Sequence, residues 1–327
     1  MSVVLAFDGG NSKTYAACVR ADGELLGLAR GAASSPQHLG VDGCLGVLQG
    51  LREEIGAPRA DVGILLLAGL DFPEDEHRLE EAVSGLGWAD RVVAANDTFA
   101  VLRAGTERGW GVAIVCGAGI NCLGVSPTGR HVRYPALGEI SGDWGGGYEI
   151  GIAALWAAAR SEDRRGPRTS LERLVPAHFG LETPRELAEA IHRGRIEQHD
   201  VIELPPVVLA AAADDAVAAE IVHRLADEVV TLARATLTRL GLEGEAVEVV
   251  LGGGVLQAGD RRLLEAIEVG LAEVEPAVTM RVASSPPIVG SALLGLDELG
   301  AGPEAQARLR AELGAAVERL ETRMEVE

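Results

Sequence analysis

Residues 3–20 read Val3-Val4-Leu5-Ala6-Phe7-Asp8-Gly9-Gly10-Asn11-Ser12-Lys13-Thr14-Tyr15-Ala16-Ala17-Cys18-Val19-Arg20. Two apolar runs joined by a short Gly/Asn turn make a β-hairpin. After a second turn at Ala21-Asp22-Gly23, residues 24–29 supply a third strand, so the chain opens on an antiparallel meander. Helical periodicity follows at about 40–55. A buried strand at 62–67, a helix at 74–86, a strand at 92–95 and a helix after Asp97 come next. Strand–helix alternation of this kind extends the sheet with parallel strands.

A second opening of the same kind begins at Val112-Ala113-Ile114-Val115-Cys116, turns at Gly117-Ala118-Gly119 and resumes at Cys122-Leu123-Gly124-Val125. One pattern therefore occurs twice, a β-meander with a glycine turn followed by alternating helices and strands. The expectation is an α/β chain of two lobes, residues 1–109 and 110–302, with a ligand cleft between them. A largely helical insertion occupies about 150–245. It contains an amphipathic helix at 214–240 with Val217, Ile221, Leu225, Val229, Leu232 and Leu240 along its apolar face. A charged helix at 303–327 places Leu309, Leu313, Val317 and Leu320 on one side, to pack on the first lobe or against a partner subunit.

The chain has 327 residues, 47% of them apolar but only 3% aromatic, which suits helices on a sheet better than a β-sandwich. A net charge of −20 with no basic block excludes nucleic acid as an expected partner. The opening residues lack a basic region before their short apolar run. No stretch reaches the ~20 apolar residues needed to cross a bilayer, so the location expected is cytoplasmic. Cys18, Cys44, Cys116 and Cys122 show neither CxxC pairing nor a histidine at zinc-finger spacing, and are read as reduced, buried side chains. Lys13 is the only lysine in the chain. Its place in a glycine-rich turn suits a compact ammonium beside phosphate.

Five polar and glycine-rich clusters punctuate the pattern. Four end strands: Asp8 through Thr14, Asn96-Asp97, Gly117-Ala118-Gly119-Ile120-Asn121, and Gly252-Gly253-Gly254-Val255. The fifth, Gly138-Glu139-Ile140-Ser141-Gly142-Asp143-Trp144-Gly145-Gly146-Gly147, opens a helix. Ligands of α/β sheets bind beyond the carboxyl ends of strands, and glycine turns let backbone N–H groups approach phosphate oxygens. Neither GxxxxGK[ST] nor GxGxxG is present, so the P-loop and Rossmann readings lose their main support. The bland alternative for Asp97 is a helix cap on the segment that follows it.

In this order and spacing the clusters resemble the N-acetylglucosamine kinase group of the BadF/BadG/BcrA/BcrD ATPase family, part of the superfamily of sugar kinases, heat-shock ATPases and actin. The resemblance spans nearly the whole chain and is weakest in the helical insertion. It implies a two-lobed actin-like (ribonuclease H-like) ATPase fold and ATP-dependent phosphorylation of a hydroxyl on an amino sugar or related hexose. By position, Gly9, Gly10, Asn11, Ser12, Lys13 and Thr14 would form the first phosphate loop. Gly117, Ala118 and Gly119 would form the second, and Gly252, Gly253, Gly254 and Val255 would border the nucleotide. Asp97 would take the proton from the attacking hydroxyl. Asp8 would hold Mg2+ through water, and Asp143 would touch the sugar or the metal shell. Ser34, Ser35, Gln37, His38, Asn96 and Asn121 would line the substrate. Cofactors implied are ATP and Mg2+, and the partners are a small sugar and a second copy of this chain.

The sequence departs from that family on the sugar side. Ala118 and Ile120 replace a Thr and a Ser, Ser35 stands for an Asn, Leu137 for a Trp, and Trp144 for a Glu. These changes shift the expected acceptor away from N-acetylglucosamine itself. Two other readings are an ATPase activator of the acyl-CoA dehydratase type, which binds an iron–sulfur cluster through cysteine, and a kinase for a non-hexose polyol.

Overall fold

The computed structural model describes residues 1–326. In chain order the first elements are β1 (Val3–Gly9), β2 (Thr14–Arg20), β3 (Leu25–Gly31), α1 (Pro36–Glu54), β4 (Ala60–Leu67), α2 (Pro73–Leu86), β5 (Ala89–Asn96) and α3 (Thr98–Gly105). Then come β6 (Gly111–Cys116), β7 (Ile120–Val125), β8 (His131–Arg133), α4 (Gly146–Glu162), α5 (Leu171–His178), α6 (Pro184–His192), α7 (Pro205–Ala211) and α8 (Ala216–Leu240). The chain continues through β9 (Glu248–Gly252), α9 (Gly254–Gln257), α10 (Arg261–Val274), β10 (Thr279–Val282), α11 (Pro287–Glu298) and α12 (Pro303–Val326).

The strands of the described residues form two five-stranded sheets, ordered β3-β2-β1-β4-β5 and β10-β9-β6-β7-β8. Read in the same direction, the second is β8-β7-β6-β9-β10, the order of the first. The repeat expected from the paired meanders is therefore a repeat of topology. It is an α/β arrangement built twice.

The chain divides into two compact units, Met1–Ala113 with Val125–Arg130 and Ala283–Glu327, and Ile114–Gly124 with His131–Val282. The sequence division at residue 302 differs from this, because α11 packs on α3 and β1 and so belongs with the first unit. Apolar Ile288, Val289, Ala292, Leu293 and Leu296 of α11 make that contact possible.

In the first unit, strand alternation separates two cores. Leu5 and Phe7 face one side with Leu48 of α1 and Leu79 of α2. Val4 and Ala6 face the other with Leu293 of α11 and Leu309 and Leu313 of α12. The parallel pairing has a consequence for the site: Gly9 of β1 is in register with Leu67 of β4, and Leu67 with Asn96 of β5. Three strand ends thus lie in one row.

In the second unit α8 lies against the sheet, with Thr236 beside Gly124 and its hydroxyl 3.2 Å from the Cys122 sulfur. Asp215 starts α8 by accepting from the Val217 and Ala218 amides, and Gly241 ends it in the left-handed conformation. No described helix is long and apolar enough to cross a membrane.

Candidate active site

In the first unit, the candidate residues are set by the β1–β2 hairpin. Gly10 N–H donates to the Lys13 carbonyl at 2.9 Å, closing the turn, and the Ala68 amide donates to the Gly9 carbonyl at 2.7 Å. Among the described residues, the amides of Asn11 and Ser12 donate to no internal acceptor, and both residues are exposed. Such a turn presents free N–H groups of the kind that bind phosphate oxygens. Thr14 donates its hydroxyl to Ser34 at 2.8 Å, both fully buried, so this pair ties the turn to the loop before α1.

Lys13 does not hang free. Its ammonium lies 2.7 Å from Glu321 of α12 and 3.4 Å from the Tyr15 hydroxyl. Glu321 also accepts from Tyr15, and Lys13 first and Tyr15 second hold its carboxyl below the usual range.

Asp8, one residue before the turn, retains an exposed edge yet sits deep in the fold. Burial first, then the charge of Asp97, pushes its carboxyl up to about 8, and Lys13 opposes the rise. Asp97 itself is pushed up to about 7 by burial and then by Asp71, against the nearby amides of Thr98 and Asp97. The helix-cap reading of Asp97 fails in detail: it occupies the N-cap position of α3 but its side chain makes no capping hydrogen bond. Asn96 takes that role, its Oδ1 accepting from Thr98 N at 3.0 Å and Thr98 Oγ1 at 2.7 Å.

The loop before α1 reaches the same sheet edge. Ser35 is fully buried and its Oγ has no hydrogen-bond partner among the described residues. Gln37 and His38 are exposed on the first turn of α1. Gly69 brings the loop after β4 against this region, since a Cβ there would stand 2.7 Å from Ser35 Oγ and 2.9 Å from Gln37 Cβ.

In the second unit, the candidate residues centre on Gly117, Ala118 and Gly119. Gly117 N–H donates to the Gly119 carbonyl at 2.9 Å. The first amides of α4 then fasten the loop from behind, Gly147 N to Gly117 O at 2.7 Å and Tyr148 N to Ala118 O at 3.0 Å. Gly146 permits this approach: a Cβ there would lie 2.4 Å from Gly119 Cα. The amides of Ala118 and Gly119 take no internal acceptor among the described residues. Asn121, expected on the substrate, accepts the Cys122 amide at 2.7 Å.

Asp143 is held by a short hydrogen bond from Ser141, and its own amide donates to Gly138 O at 3.0 Å. Its charge, behind burial and Glu139, raises the Glu149 carboxyl. Trp144 stacks under Arg224, 4.0 Å from its ring centre, at the wall of a cavity of about 470 Å³ that Tyr148 and Trp156 also line. Gly252, Gly253 and Gly254 join β9 to α9, with Gly253 pressed against the Cys116 backbone and Val255 buried beneath.

Burial pushes the Cys116 and Cys122 thiols up to about 12, so neither is disposed to become a thiolate ligand. Sequence reasoning missed Asp71 and Glu321. Asp71 was signalled only by its place just beyond a buried strand, and Glu321 by nothing local.

The BadF/BadG/BcrA/BcrD ATPase family matches residues 6–295 of this chain. An N-acetylmuramic acid/N-acetylglucosamine kinase of Clostridium acetobutylicum is 29% identical over 263 residues, 78% of this chain and 86% of that protein. An N-acetyl-D-glucosamine kinase of Dictyostelium discoideum is 26% identical over 314 residues, covering 90% and 98%. The solved structure of a proposed N-acetylglucosamine kinase from Chromobacterium violaceum shares the fold with a TM-score of 0.68 at 24% identity, covering 90% of this chain and 99% of that one.

Proposed function

Because this chain belongs to the BadF/BadG/BcrA/BcrD ATPase family, we propose that it transfers the terminal phosphoryl group of ATP to a hydroxyl of an amino sugar. The kinases it is similar to act on N-acetylmuramic acid and N-acetylglucosamine, which supports the amino-sugar class. The observation that carries the reading is Asp97, a carboxylate at the end of β5, unused as a cap and raised to about 7. A base with that value accepts a hydroxyl proton near neutral pH.

Each unit carries backbone amides proposed for phosphate: those of Asn11 and Ser12, with the Lys13 ammonium, in the first unit, and those of Ala118 and Gly119 in the second. Phosphoryl transfer requires alignment and neutralisation of spreading negative charge, and donors of this kind serve both ends. Asp8 is the group proposed for a divalent cation: burial first and then Asp97 push its carboxyl up to about 8, and a bound cation would keep it ionised. Magnesium held there would neutralise phosphate oxygens. Ser34, Ser35, Gln37, His38, Asn96, Asn121 and Asp143 are the groups proposed for the sugar.

The test is ADP formation by the purified protein with ATP and Mg2+, against amino sugars, N-acetylated amino sugars, plain hexoses and polyols. Turnover that depends on an amino-sugar acceptor is expected. ATP hydrolysis indifferent to every acceptor would overturn the assignment.

A further inference from the structure

The row of strand ends at Gly9, Leu67 and Asn96 places the loop after β4 beside the segment that carries Asp97. This loop is firmly set. Its Ala68 amide is bonded to Gly9, Gly69 takes a left-handed φ of 81°, and Leu70 is buried at 1% exposure. Asp71 follows, and its Oδ1 accepts from Asn96 Nδ2 at 3.0 Å across 25 positions of sequence.

Asn96 is 1% exposed, so the orientation of its amide is decided by its neighbours. The Thr98 backbone N–H can only donate, and it is bonded to the Asn96 oxygen. The Asn96 NH2 group must then point the other way, toward an acceptor, and Asp71 supplies one. Turned round, the amide would set donor against donor at Thr98. Asp97 lies on the three-residue arch that this amide spans.

We propose that Asp71 is a positioning residue which, through Asn96, holds the backbone arch that aims the Asp97 carboxylate at the acceptor hydroxyl. This rests on the reading of Asp97 as the base. It assigns Asp71 no contact with nucleotide or sugar.

The bond to Asn96 requires only an acceptor at Oδ1, so D71N retains it and D71A loses it. Misplacement of a reacting group by about 1 Å costs about 10²-fold in rate. With ATP, Mg2+ and a turned-over acceptor, above the ionisation of Asp97, D71A is expected to lower kcat about 10–100-fold with the KM for ATP within about twofold of wild type. D71N is expected to stay within about fivefold in kcat. In the D97N background D71A is expected to cost almost nothing further, because residues acting through one group are non-additive.

Wild-type kcat in D71A overturns the proposal, as does D71N falling as far as D71A, or D71A reducing the residual rate of D97N by its full factor. A D71A loss accompanied by an equal loss of ATP binding or of the thermal unfolding transition also overturns it, showing a merely structural role. If D71A does not fold, D71N against wild type in both backgrounds decides the matter: near-wild-type kcat supports the proposal, and a loss that persists beside D97N overturns it. The base reading fails separately, on D97N retaining turnover.

Discussion

The carboxylate of Glu321 lies 2.7 Å from the ammonium of Lys13, so the chain's single lysine is paired with a residue 308 positions away on α12. Both side chains are more than 40% exposed. Such a pair contributes at most about 1 kcal/mol, or about fivefold in an equilibrium.

On the proposed phosphate role of Lys13, Glu321 and a bound phosphate would compete for one cation. E321Q, which keeps an acceptor for Tyr15 but removes the charge, is expected to lower the KM for ATP by about two- to fivefold with little change in Tm. K13M is expected to raise it. Steady-state kinetics at low ionic strength checks both, and a rise in KM in E321Q matching that of K13M would show that Glu321 orients Lys13 instead of competing for it.

Asp97→Asn removes the proposed base while keeping size and most hydrogen bonds. The rate should fall about 10²–10⁴-fold, with MgATP binding preserved by calorimetry. The carboxylate accepts a proton only when ionised, and burial with Asp71 raises it to about 7. Wild-type kcat should therefore climb with pH to a half-maximum near that value, and the acid limb should vanish from the residual activity of D97N.

Asp8 and Asp97 also make stability depend on pH. Both are raised, to about 8 and about 7, from an ordinary value of 3.8, so the folded state holds protons that the unfolded chain has released. Their stabilising contribution is complete below the ordinary value and is lost as pH rises through 7 to 8. Without nucleotide or divalent cation, Tm should fall across that window. D8N should raise Tm at the upper end by about 2–6 °C, equivalent to about 1–2 kcal/mol. Differential scanning fluorimetry across pH checks this, and a D8N gain that is constant with pH would contradict it.

Gly146 has a φ of 89°, and a Cβ there would enter the Gly119 backbone at 2.4 Å. G146A should displace the loop of Gly117, Ala118 and Gly119, destabilising by about 1–3 kcal/mol and weakening ATP binding more than acceptor binding. Isothermal titration with each ligand tests the order. Unchanged nucleotide affinity in a folded G146A protein would remove this loop from the phosphate site.

What the sequence determined by itself is local in origin. Alternating apolar residues in β1 and β2 and the glycine turn between them specify a hairpin, because side-chain period and permitted φ are properties of neighbouring residues. The recurrence of that pattern at β6 and β7 was legible for the same reason, and so were the glycine turns and the strand-end Asn96-Asp97 pair. The tertiary structure decided which polar groups meet. Register aligns Gly9, Leu67 and Asn96, and this alone brings Asp71 to Asn96. Packing of α12 on the first sheet's core brings Glu321 to Lys13. Neither pairing has a local signature, since a lone carboxylate reads the same in any loop or helix. The raised carboxyls of Asp8 and Asp97 are likewise products of the assembled fold, because desolvation and like-charge repulsion act on them only once the strand ends stand side by side.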